Sequence, residues 1–217
     1  IVFTYFILPP AADDMFYFWP ALSFFYENKI GMYEGEKFVT TFFQFPTYSL
    51  INGFFLNFYD FFGIQITSYS YKFFNKFLLI LMFVLSIYWI KKTSNKNSFF
   101  LKINTFLILI TFTPFSLGVI GSVRPEVLGI VFVLISIILF NEISKTEYKS
   151  SYRIVFSAFF LGLAFTVHPQ FFTITSILAL VMLYELYLKP KNFKLIFVFC
   201  FFFIIPIIFL FIWYFLK

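Results

Sequence analysis

Apolar runs alternate with short polar breaks along most of the chain. They fall at 73–90, 99–117, 127–140, 154–167, 171–188 and 195–216. Four of them reach the ~18 residues that mark a membrane helix, whereas 127–140 and 154–167 are short. The pattern therefore predicts six membrane helices with short loops over residues 72–217. Residues 9–71 are far more polar and form a long first loop. Within it, "PALSFFYENKIG" predicts a helix closed by Gly31, which Pro20 either starts or kinks. "FPTYSLINGFFLNFYDFFG" predicts a second, opened by Pro46 and closed near Gly63. Both mix aromatic with scattered polar residues, are too short and too polar to cross a bilayer, and are expected along its surface. Residues 1–8 are apolar but span only about 12 Å as a helix, which predicts the end of a truncated first membrane helix.

Composition agrees with a membrane chain. Of 217 residues, 61% are hydrophobic and 12% charged, and the mean hydropathy is +0.92. A soluble domain carries roughly 25% charged residues, so much of this surface must face lipid. The expected fold class is all-α, a polytopic helical bundle whose long first loop carries surface helices. The 41 Phe match a bias toward Phe, Ile, Lys and Asn and mark no binding surface by themselves. Cys200 is the single cysteine and sits inside an apolar run, so no disulfide or metal cluster follows from it.

Charge sets the expected orientation. The breaks "KKTSNKNSFFLK", "NEISKTEYKSSYR" and "KPKNFK" hold ten of the 16 basic residues, whereas the intervening short breaks hold only Arg124. The positive-inside rule puts the lysine-rich loops in the cytoplasm. The first loop, "GSVRPE" and "VHPQ" then share the outer side, and with them Asp13, Asp14, Arg124, Glu126 and His168. The net charge of +6 is dispersed among apolar runs and forms no stripe suited to a phosphate backbone, which argues against nucleic acid.

Candidate chemistry lies on that outer side. Asp13 and Asp14 follow Pro9-Pro10 where a membrane helix gives way to the first loop. They fit an N-cap with a first-turn acid, or a site that needs a carboxylate close to the membrane. Successive helical side chains point ~100° apart, so at most one of the two acts directly; the other caps, orients or helps bind a metal. Arg124 and Glu126 flank Pro125 at the start of the short 127–140 run, and the preceding "SLGVIGS" is itself apolar, which places Arg124 at or slightly below the membrane surface. An arginine there suits a fork-shaped contact to a phosphate; a structural Arg–Glu pair or a headgroup contact is the plainer alternative. His168, the only histidine, fits a hydrogen bond to a phosphate or sugar, or a turn position without a task; a zinc site needs more ligands. No Gly-rich phosphate loop, HExxH or GxSxG occurs.

The order of these features resembles the C-type (GT-C) superfamily of membrane glycosyltransferases, in the branch of the protein O-mannosyltransferases and the lipid A aminoarabinose transferase. The similarity rests on "PPAADDMFYFWPAL", the proline-led "FQFPTYSLINGFFLNFYDFFG", "SVRPEVLGIVFVLISIIL" and "VHPQ". It covers essentially all 217 residues as short motifs. Many relatives carry Asp-Glu followed by polar residues, where Met15 and Phe16 follow here, and relatives have more membrane helices and often an outer domain. The resemblance implies a polyprenyl-phosphate-linked sugar as donor and a glycan, lipid or protein acceptor. It also implies a catalytic role for Asp13, with Asp14 second, and an outward-facing site in a bacterial inner membrane. Relatives differ over divalent-metal dependence, which leaves the metal open. A lipid-linked oligosaccharide flippase or another multi-pass transporter is the rival reading.

Overall fold

The computed structural model describes residues 12–27, 29, 32–34, 37–39, 46–67, 70–95, 98–99, 101–106, 124–145, 151–188 and 193–215. Among these the regular structure is helical apart from one hairpin. The order is α1 (Ala12–Glu27), β1 (Met32–Glu34), β2 (Lys37–Val39), α2 (Pro46–Phe61), α3 (Ser70–Thr93), α4 (Pro125–Lys145), α5 (Ser151–Phe165), α6 (Phe171–Leu188) and α7 (Phe193–Phe215). Residues 101–106 are also helical. Residues 1–8 and Gly31, on which two expectations rested, lie outside the described residues. So does most of the 99–117 run. The chain forms two units, Ile1–Gln44 with Tyr48–Val127, and Phe45–Thr47 with Leu128–Lys217.

In the first unit, α1 differs from expectation. It begins at Ala12 and runs on through Pro20, so Pro20 does not start it. An internal proline costs a helix ~3 kcal/mol; here Phe18, Pro20 and Ala21 are all buried, and that packing offsets the loss. The antiparallel pair β1–β2, with Met32 opposite Val39 and Glu34 opposite Lys37, was not anticipated. Its signal was the two-residue connection Gly35-Glu36 between short β-prone runs. Helix α2 starts at Pro46 as expected, because a proline at the first helical position loses no helix bond. It closes at Gly63, whose φ of 66° suits glycine. Gly63 N donates to Asp60 O at 2.9 Å and Ile64 N to Tyr59 O at 2.9 Å, the two bonds of a Schellman cap.

Helix α3 packs through Phe74, Leu78, Met82 and Ile90, all buried, and leaves Phe73, Phe77, Ile80, Val84 and Ile87 exposed. That is one covered and one uncovered stripe at helical spacing. Tyr48, Phe55 and Tyr59 of α2 meet Phe74, Phe77 and Phe73 of α3 with ring centroids 5.0–6.3 Å apart.

The second unit is a bundle of α4 to α7 around Phe140, Ile154, Ala158, Leu161, Ala179, Met182, Leu186, Leu195 and Phe199. Neighbours in sequence run antiparallel, as short connections require: Phe132 meets Phe160, and Phe165 stacks on Phe172 at 4.2 Å. Helices α5 and α7 approach closely at Gly162, where an added Cβ would meet the Phe203 carbonyl oxygen. Ala158 and Gly162 form the small-xxx-small pattern that lets membrane helices approach.

Four helical stretches are long and apolar enough to cross a membrane: Phe73–Thr93, Pro125–Glu142, Phe171–Leu188 and Phe193–Ile212. These are the features of a multi-pass membrane protein. The second corrects the short 127–140 run: Asn141 and Glu142 extend the helix rather than ending it, and α4 has 21 residues, about 32 Å. Helix α5, with 15 residues, stays short.

Candidate functional site

Asp13 and Asp14 are the second and third residues of α1. Both therefore lie in the first turn, past the N-cap position where the simplest reading had put one of them. Backbone amides there are unbonded and favour negative charge. Since both are on helical backbone, the ~100° divergence of their side chains follows; the side chains themselves lie outside what is described.

Arg124 directly precedes α4 and is half-buried. Pro125 is the first residue of that helix, and Glu126 an acid of its first turn. The run that follows Arg124 is longer than the sequence suggested. At 21 residues α4 can reach across a bilayer with Arg124 at its end rather than inside it. Glu126 Oε2 is buried with no hydrogen-bond partner among the described residues. Leaving a buried acceptor unmet costs ~1–3 kcal/mol, more for a charged one, and such a group in a native fold calls for an explanation.

His168 lies in the turn between α5 and α6, half-buried. Its Nδ1 accepts from Gln170 N at 3.4 Å, and its carbonyl accepts from Phe171 N at 2.9 Å. The ring thus bridges a local turn. The turn position without a task is the role this geometry explains. Two residues earlier, Thr166 Oγ1 donates to Leu163 O at 2.8 Å and accepts from Thr47 Oγ1 at 2.9 Å. No sequence signal could have paired two threonines 119 positions apart. The contact holds Thr47, which belongs to the second unit, against the turn that leads to His168.

Asp13, Asp14, Arg124 and Glu126 belong to the first unit and His168 to the second. Among the described residues no group of three or more His, Cys, Asp or Glu gathers as a metal site would need. Compared with family models, curated proteins and solved structures, the chain finds no match.

Proposed function

We propose that the chain is a membrane glycosyltransferase, moving a sugar from a polyprenyl-phosphate donor to an acceptor hydroxyl at the outer face of the membrane. The observation that carries this reading is where the ionisable residues sit in the four apolar spans. Lys76, Lys91 and Lys92 lie near the ends of Phe73–Thr93, Glu126 and Glu142 at those of Pro125–Glu142. Glu185 lies near the end of Phe171–Leu188, and Lys194 near the start of Phe193–Ile212. A flippase or transporter would place such groups, or broken helices, near the bilayer midplane. In these four described spans no Asp, Glu, Lys, Arg or His lies near the midplane, and α7 is continuous through Pro206. Charged groups at the boundary suit a reaction whose lipid-held donor presents its phosphate there.

In this reading Asp13 takes the proton of the acceptor hydroxyl as its oxygen attacks the anomeric carbon. The bond from that carbon to the donor phosphate breaks, and the phosphate leaves with the electron pair. Arg124 stabilises the charge that develops on it. Asp14, turned away, orients the turn. Glu126 lines the substrate path beside Arg124.

Asp13→Asn keeps size and helix-start preference but removes the base. Transfer from a polyprenyl-phosphate donor by the protein in liposomes should fall ~100-fold or more with folding intact. A near wild-type rate would overturn the assignment and the enzymatic reading with it.

A further inference from the structure

Helix α2 has three faces. Tyr48, Asn52, Leu56 and Tyr59 are buried, and this face carries the ring contacts to α3. On another side, Phe54, Phe58, Phe61 and Phe62 are 63%, 53%, 82% and 59% exposed, within about 100° of one another around the axis. Asn57 and Asp60, both exposed, occupy the third. Four neighbouring Phe left uncovered form a patch of the kind that marks a membrane or protein contact.

The ring contacts indicate which. Phe77 of α3 is 51% exposed on a span apolar enough to cross a bilayer, so its uncovered face meets lipid. From it a chain of rings runs onto the stripe: Phe77 to Phe55 at 5.9 Å, Phe55 to Phe58 at 6.1 Å, Phe58 to Phe62 at 4.6 Å and Phe62 to Phe61 at 5.3 Å. The exposed rings of α2 thus join the lipid-facing surface of α3 through an unbroken chain of ring contacts. On the other flank Phe24 of α1 meets Phe54 at 5.3 Å. That helix adds exposed Trp19 and Tyr26, the residue types that concentrate at membrane boundaries.

We propose that α2 is an interfacial helix whose stripe Phe54–Phe58–Phe61–Phe62 inserts at the headgroup–acyl boundary beside the N-terminal end of α3. Asn57 and Asp60 face water. Helix α2 carries no Lys or Arg, so the contact is apolar and does not depend on anionic lipid. It stands whether or not the protein transfers sugar, since it needs only that α3 crosses a bilayer.

The test uses nitroxide labels at single cysteines placed at Asn57, Phe58, Asp60 and Phe61 in a Cys200→Ala background. The whole chain is held in phosphatidylcholine nanodiscs. Relaxation by oxygen, which concentrates in lipid, should exceed relaxation by a water-soluble nickel chelate severalfold more at 58 and 61 than at 57 and 60. The same ratios should hold when phosphatidylglycerol is added. Equal chelate access at all four positions would overturn the proposal by placing the stripe in water. Shielding of 58 and 61 from both reagents would also overturn it, by showing that protein, such as a second copy of the chain, covers the stripe.

Discussion

The hydroxyls of Ser136 on α4 and Ser157 on α5 lie 3.1 Å apart, and Ser157 Oγ also approaches the Ser136 carbonyl at 3.0 Å. Both residues are wholly buried within apolar helices. Interhelical polar bonds of this kind average about 0.6 kcal/mol in membrane proteins. Ser157→Ala should lower stability by about 0.5–1.5 kcal/mol. Adding Ser136→Ala should cost little more, because the partner is already lost. Reversible unfolding in mixed detergent micelles measures the cycle; fully additive losses would mean that the two hydroxyls do not interact.

At Gly162 the neighbour is backbone. A Cβ there would meet the Phe203 carbonyl and, at 3.2 Å, Pro206 Cδ. At Gly129 its three nearest neighbours are all atoms of the Phe171 ring, at 2.5–2.9 Å, and a ring can turn aside. Gly162→Ala should therefore cost more than Gly129→Ala, by about 1–3 kcal/mol as overpacking does. Comparing the two melting temperatures in one detergent is the check.

Arg124→Lys keeps the positive charge but loses the planar fork. If the guanidinium holds the donor phosphate, donor binding should weaken roughly tenfold or more, in line with the strength of charged bidentate contacts. Helix insertion should be unaffected. Equilibrium binding of a polyprenyl-phosphate donor to the reconstituted variant measures it, and unchanged affinity would remove Arg124 from the site.

Orientation rests on the lysine asymmetry. Lys91 and Lys92 also sit in the last turn of α3, where the helix dipole favours cations, and Lys92 Nζ donates to Tyr88 Oη at 3.0 Å. A direct measurement therefore matters. Gln65 and Asn95, at opposite ends of α3, are both exposed. In intact cells an impermeant maleimide should label a cysteine at 65 and reach one at 95 only after permeabilisation. The reverse pattern would invert the topology.

Burial pushes the Tyr59 phenol from 10.0 up to about 12. The fold favours its neutral form, so this contribution is whole below pH 10 and is lost as pH rises from 10 towards about 12. Tyr59→Phe keeps the ring against Phe55 and Phe73 and removes the proton. The melting temperature of the wild type should fall more steeply than that of the variant across that window. Parallel curves would show that Tyr59 is not responsible.

What the sequence determined by itself is what depends on a few consecutive residues. Runs of apolar side chains long enough for a bilayer marked 73–90, 171–188 and 195–216, because water cannot cover them. Pro46 and Gly63 marked helix ends, because a missing N–H or a left-handed backbone is a local constraint. Where local signals conflicted, only packing decided. Pro20 sits inside α1 because buried neighbours hold the helix through it, and α4 passes the polar Asn141 that seemed to end it. The pairings Ser136–Ser157, Thr47–Thr166 and Gly162–Phe203 join positions far apart in the chain, and no periodicity encodes them. The same holds for the aromatic residues. Forty-one Phe in the sequence are indistinguishable by composition, and only the fold sorts the rings that α3 covers from the four that α2 leaves outside.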